Sequence, residues 1–341
     1  MSAKILRVVL PLMLFPCLSA LAFHFIVGHL TTSGGGEQIA AQCPPNDGPY
    51  NIKFTNISAV DRQLCILVTF FHASFDSKNL PLLAEFASSG AVLVVLPYIE
   101  AARQGRPFLL AFPTLLGAIY QNAGAGVMFP LYWLAFILSG QTRIRSGPQV
   151  KIDQAHAEAT LFALLIGVVV PSGLMYFMVD AVVTAAWQAF PVWMLLAQQA
   201  HLLVRPSSRH PQSGYKTIQA TFIFTFLLSA ITHITVIWPL LGDTATLKYS
   251  FLPRVEAPDP TTTTLQYATL VFLQWDAAFS FGASLLGTMW FAESLQQSLI
   301  ILVWNVVGSL AFGPGAALSG LLIWREARLN GGETVSNVKR D

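Results

Sequence analysis

The sequence predicts an all-α, polytopic membrane bundle of about eight transmembrane helices with a short interfacial helix. Three observations carry this. Of 341 residues, 54% are hydrophobic and only 11% are charged, where soluble domains carry about 25%. Apolar runs of roughly twenty residues, enough to cross the hydrocarbon layer, recur along the whole chain. Apart from the 28–79 connection the intervening segments are short, so residues 1–341 read as a single membrane domain. A net charge of +2 gives no reason to expect nucleic acid as a partner. The expected partner is the lipid bilayer, no obligate protein partner is evident, and the expected address is the endoplasmic reticulum.

Ile5 to Val27 is the first apolar segment, behind Lys4 and Arg7. Ser19-Ala20-Leu21-Ala22 resembles a signal-peptidase site, but the run exceeds a signal core, which favours a span. Residues 28–79 form a connection containing Gly34-Gly35-Gly36, Pro44-Pro45 and the glycosylation sequon Asn56-Ile57-Ser58. Cys43 and Cys65 pair only if this loop is lumenal. Residues 64–75, LCILVTFFHASF, are too few to span and read as an interfacial or re-entrant helix. The second span is Leu80 to about Ala102. Residues 107–139 are interrupted by Gln121-Asn122-Ala123-Gly124-Ala125-Gly126, which fits one kinked helix or two short ones. Further spans fall at 157–179, 182–203, 216–241, 265–291 and 299–324, before a polar tail at 325–341. Lys and Arg divide almost evenly between the two sides, so the sequon alone points to cytosolic termini.

The stretch around residues 271–291 organises the reading. Asp276 lies eleven residues into a span that starts at Leu265, roughly 16 Å deep at the helical rise. A charge at that depth costs at least ~2.5 kcal/mol, so an intramembrane acid is a functional candidate by default. Phe272 and Phe279 share its helical face, and Trp275 precedes it. The structural alternative is an Asp that bonds another helix. Glu100 ends the second span, with Arg103 three residues on, so a second pocket acid and an interfacial ion pair are both open. Glu85 reads as interfacial and Asp180 as a helix cap. His72 and Asp76, spaced i and i+4, line a site or form an ordinary surface pair. His233 reads as a hydrogen-bonded bundle histidine. Asn122, Gln274 and Asn305 are intramembrane amides, helix-to-helix glue or partners of an acid and a substrate hydroxyl. No span carries the Asp-rich pair that holds magnesium and a diphosphate, and no lysine sits at a span centre for a Schiff base. No metal site and no cofactor are expected.

PYIEAARQG (97–105), NAGAGVMFPLYWL (122–134) and LQWDAAFSFG (273–282) carry a resemblance. With them the chain resembles the fungal integral-membrane terpene cyclases of meroterpenoid pathways, most of all the longer type of the ascochlorin, ascofuranone and macrophorin pathways. The resemblance implies an isomerase-type cyclase without metal or organic cofactor. It acts on a prenylated aromatic or polyketide small molecule, here a farnesylated polyketide, and protonates an epoxide or olefin. It also implies two membrane-embedded catalytic carboxylates, which match Asp276 and Glu100 here. Tyr98, Phe272, Gln274, Trp275, Phe279, Asn122, His72 and Asp76 are then the expected substrate-binding residues. The chemistry agrees with the residues: cyclisation needs a protonated acid, and burial disfavours a carboxyl's charged form. Aromatic walls stabilise a carbocation by roughly 0.5–2 kcal/mol each. The competing expectation is a small-molecule transporter, because NAGAGVMFP and SLAFGPGAALSG are Gly/Pro-interrupted segments of the kind that break helices at a binding site.

Overall fold

A computed structural model describes residues 5–44, 48–50, 52–143 and 147–337; Lys4, Pro45, Arg145 and the last four residues of the expected tail lie outside them. Every regular element is helical, and the described residues contain no strand beyond one isolated bridge between Asp153 and Ser213. In chain order the helices are α1 (Arg7–Thr32), α2 (Gly35–Ala41), α3 (Ser58–Ser74), α4 (Leu80–Ala102), α5 (Pro113–Ala123), α6 (Ala125–Leu138) and α7 (Gln154–Met178). There follow α8 (Ala181–Gln188), α9 (Phe190–Val204), α10 (Tyr215–Gly242), α11 (Thr244–Phe251), α12 (Leu265–Phe291), α13 (Leu295–Phe312) and α14 (Pro314–Asn337).

Among the described residues six helices are long and apolar enough to cross a membrane, namely α1, α4, α7, α10, α12 and α13, and α8 with α9 makes a seventh span if that pair, bent by 64°, is counted as one. The bundle is therefore polytopic, as expected, but besides the 182–203 span, bent between α8 and α9, two more of the eight expected spans are broken. The 107–139 segment is two short helices, parted at Gly124. The 299–324 segment is parted at Gly313, and α14 folds back on α13, where Trp304 Nε1 donates to the Ala317 carbonyl at 2.9 Å. Each break has a glycine at positive φ, +92° and +90°, a conformation that glycine adopts without a Cβ penalty. The expected polar tail does not begin at 325: α14 runs on to Asn337, and Arg325 and Glu326 are buried.

Local sequence explains the other boundaries. Asp180 accepts from the Val182 and Val183 amides at 2.9 and 3.0 Å and caps α8, as expected. Asp153, Asp243, Thr264 and Ser294 cap α7, α11, α12 and α13 in the same manner. The 28–79 connection is more ordered than its composition suggests. It holds α2, and α3 starts at Ser58, six residues before the expected boundary. Asp61 holds that start by accepting from Thr55 N and Oγ1 at 2.7 and 2.8 Å. Cys43 and Cys65 form a disulfide that ties α3 to the end of α2, and Cys17 is free.

The packing places α6 between α1 and α12, and α14 beside α4, α10 and α13. Trp133, Phe136 and Phe291 fill one end of the core. Small polar contacts join the helices: Ser89 to Ser229 at 2.8 Å and Thr225 to Ser319 at 2.9 Å, the close-approach chemistry of membrane bundles. Glu85 is buried rather than interfacial. Its Oε1 stands 3.0 Å from His233 Nδ1 and accepts from Ser89 Oγ at 3.3 Å, and His233 Nε2 donates to the Leu310 carbonyl at 3.2 Å, the bundle role expected of it.

A Cβ at Gly313 would stand 2.7 Å from Glu85 Oε1 on a backbone that disfavours L side chains. Gly313→Ala is expected to destabilise the bundle by about 1–3 kcal/mol, read as a lowered melting temperature of the purified protein.

Candidate active site

Asp276 is placed by two elements. The capped helix α12 turns it toward the start of α6, where the first amides of a helix have no intrahelical partner. The Gly126 N–H donates to Asp276 Oδ1 at 2.6 Å. A Cβ at Gly124 would come 3.0 Å from the same oxygen, so the glycine admits the carboxyl as well as making the turn. Asp276 is only 6% exposed, and among the described residues no side chain hydrogen-bonds it. The free amides and the positive end of the helix dipole lower the cost of a carboxylate here, whereas burial disfavours its charged form.

The carboxyl lines a cavity of about 250 Å³. Its walls are apolar and rich in aromatic rings: Phe70 and Phe71 from α3, Trp187 from α8, Phe190 from α9, Tyr176 from α7 and Phe272 from α12. The rings brace one another, with Phe70–Phe272 and Phe71–Trp187 centroids each 4.8 Å apart in edge-to-face contact. Two wall groups are tied off: Tyr176 O–H donates to the Leu83 carbonyl at 2.8 Å, and Ser172 Oγ accepts from Trp187 Nε1 at 2.9 Å. Such a chamber suits an apolar chain and one acid.

Of the other residues singled out from sequence, the structure brings Phe272 and Asn122 to the cavity with Asp276. Trp275 and Phe279 lie on another side of α12, where Trp275 stacks on Phe25 with centroids 4.2 Å apart and donates to the Arg254 carbonyl at 3.1 Å. Gln274 donates to the Tyr249 carbonyl at 2.7 Å, and Tyr98 O–H donates to the Pro191 carbonyl at 3.0 Å. Neither lines the cavity. His72 contacts Thr184 Oγ1 at 3.3 Å, and burial lowers its ring below the usual histidine range. Asp76 lies beyond the end of α3 at Ser74, so the two residues do not share a helical face. Asn305 is glue: its Nδ2 donates to the Leu285 carbonyl at 2.9 Å.

Glu100 does not face the cavity. It lies six residues past Val94, the last wall residue of α4, about 9 Å further along the axis. There it is 1% exposed and accepts from Arg103 Nη2 at 2.9 Å and Arg325 Nη1 at 2.8 Å. Arg103 also bonds Glu326 at 2.6 Å and the Val150 carbonyl at 2.7 Å. Two acids and two guanidinium groups thus neutralise one another inside the protein. The sequence showed Arg103 but not Arg325 or Glu326, which only the fold-back of α14 brings near. Sequence reasoning also missed Gln63, Tyr120, Gln121 and the α3 and α8 aromatics, because nothing in their local pattern says which cavity they face.

The sequence profile of the CtvD domain matches residues 8–329. The chain belongs to the CtvD-domain family. Curated relatives of this CtvD-domain protein include the terpene cyclase ascI of Acremonium egyptiacum, 26% identical over 86% of this chain and 84% of that protein. The terpene cyclase janA of Penicillium janthinellum is 24% identical over 78% of this chain and 79% of that protein. The FAD-dependent monooxygenase verC1 of Penicillium polonicum is 20% identical over 88% of this chain but only 39% of that protein. These relatives agree with the resemblance carried by the sequence motifs. No solved structure matches the CtvD-domain chain.

Glu100→Gln is expected to destabilise the protein by about 3–5 kcal/mol, because it leaves a buried guanidinium uncompensated. A thermal melt in detergent checks this, and a melt within a degree of wild type would contradict it.

Proposed function

We propose that the protein is a membrane-bound terpene cyclase in which Asp276 is the proton donor. The observation that carries this reading is the carboxyl of Asp276, fixed by the Gly126 amide and open to an aromatic cavity. The substrate is a farnesylated polyketide or aromatic compound, and the enzyme resides in the endoplasmic reticulum membrane. Asp276 gives its proton to the epoxide oxygen, the carbon–oxygen bond breaks and a tertiary cation forms. The next double bond attacks the cation and closes the ring. The last cation loses a proton to the Asp276 carboxylate, which restores the acid. The Gly126 amide and the α6 dipole stabilise that carboxylate between the two transfers. The rings of Phe70, Phe71, Trp187 and Phe190 stabilise the migrating charge, and the apolar wall keeps water from quenching it. An epoxide is favoured over an olefin because a stretch similar to this chain makes up 39% of a protein named as a monooxygenase, and oxygenation of the terminal double bond is the reaction that supplies an epoxide.

In this reading Asp276 acts without Glu100, whose two arginine partners hold it as a carboxylate with no proton to give. The transporter reading retains one supporting observation: both helix breaks, at Gly124 and Gly313, hold a buried carboxylate nearby. A transporter would move the prenylated compound unchanged, whereas a cyclase returns an isomer of equal mass in which the epoxide has become an alcohol and a new carbocycle has closed.

Purified Asp276→Asn is expected to lose turnover of a prenylated epoxide by 10²–10⁴-fold, the usual contribution of a general acid, with an unchanged melt. Asp276→Glu should keep part of the activity or change the product. Wild-type turnover should survive a strong metal chelator. Full turnover by Asp276→Asn would remove the proton-donor role.

A further inference from the structure

The cavity is apolar except near Asp276, where three amides gather: Gln63 from α3, and Gln121 and Asn122 from the last turn of α5. Gln63 and Asn122 are exposed and Gln121 is half-buried, so this end is the mouth. Gln63 Nε2 donates to Asn122 Oδ1 at 2.9 Å, and Asn122 Nδ2 donates to the Ala118 carbonyl at 2.8 Å. Gln121 Nε2 donates to Gln188 Oε1. These bonds use the amide nitrogens. The carbonyl oxygens of Gln63 and Gln121 have no hydrogen-bond partner among the described residues, nor does the Tyr120 hydroxyl on the adjacent wall.

We propose that Gln63 and Gln121 hold the hydroxylated head group of the prenylated substrate, so that helix α3 sets which prenylated compounds are accepted. This rests on the reading of Asp276 as the acid in this cavity. Two amide oxygens without donors match a ring that carries hydroxyl groups, and their orientation is fixed by the bonds their nitrogens make. Helix α3 is suited to the task. Gln63, Ile66, Leu67, Phe70 and Phe71 recur at three- and four-residue spacing and put one face of the helix on the cavity. The Cys43–Cys65 disulfide fixes that face two residues from Gln63. The placement has a geometric consequence. Asn122 is two residues from Gly124, which abuts Asp276 Oδ1, so head group and acid occupy the same end. A chain bound by its head at the mouth must double back along the aromatic wall to bring its terminal epoxide to Asp276, and a doubled-back chain is the shape that ring closure requires.

The test measures binding in full-length Asp276→Asn protein, which removes turnover, with two probes: a farnesylated dihydroxybenzene bearing a terminal epoxide, and the same farnesyl epoxide as its methyl ether without the ring. Gln63→Leu and Gln121→Leu, each added to that background, should raise Kd for the ring probe about tenfold, the value of one good hydrogen bond. The ringless probe should bind as before, which also reports a folded cavity. Equal weakening of both probes, or no change with either, would overturn the head-group site. Selective weakening of the ring probe, alongside wild-type protein that binds but does not cyclise it, would leave the head-group site standing and remove the cyclase reading instead.

Discussion

A helix that begins inside a membrane bundle leaves amide hydrogens without partners, and a carboxyl buried in one leaves an acid without solvation. Here each solves the other's problem. The start of α6 at Gly124–Gly126 offers its amides, and Asp276 on α12 accepts from one of them at 2.6 Å. Much of the local structure follows from that contact. It holds α6 against α12, it requires glycine at 124, and it sets the mouth residues of α5 one turn from the acid. It also keeps one carboxyl oxygen occupied while the group as a whole stays on the cavity wall.

The same device is used a second time without a cavity. At Gly313 the start of α14 is met by Ser229, whose hydroxyl accepts from the Ala316 amide at 3.0 Å, and Glu85 packs beside it on His233 and Ser89. At the far end of α4, the Glu100, Arg103, Arg325 and Glu326 network buries four charges that sum to zero. Breaking such a network is costly, while its net contribution to stability is small, so its effect is to fix the position of α14 against α4. The three polar clusters therefore differ in kind. Two have side-chain partners that use their acids, and the third leaves Asp276 with backbone partners alone, facing aromatic rings.

Much of this was legible in the sequence, for identifiable reasons. Runs of twenty apolar residues marked helices of spanning length, and Asp276, eleven residues into one of them, is buried. Asp180 stood where a cap is needed and served as one. Depth, however, does not say which side of a helix a residue faces. Glu100 ends α4 as read and has Arg103 beside it, but Glu85 is buried, and the partners that complete the two sites, His233 on α10 and Arg325 on α14, are distant in sequence. The Gly-rich stretches announced bends without saying whether the helix kinks or stops, because that depends on whether another helix brings an acceptor to the freed amides. The cavity aromatics of α3 and α8 carry no local signal, and α3 itself seemed shorter because its first turn, held by Asp61, is polar. His72 and Asp76 had helical spacing, but the helix ends between them.

The account rests on a neutral carboxylic acid in the cavity, one oxygen on the Gly126 amide and the other carrying the proton. Infrared difference spectroscopy of the purified protein at neutral pH tests this directly, by recording the carbonyl stretch of protonated carboxyl groups before and after addition of a prenylated epoxide. A protonated-carboxyl band that is present in wild type, shifts when the epoxide binds and is missing from Asp276→Asn is the predicted result. A spectrum in which Asp276→Asn removes only carboxylate bands would contradict the account, because an ionised Asp276 has no proton to start the reaction.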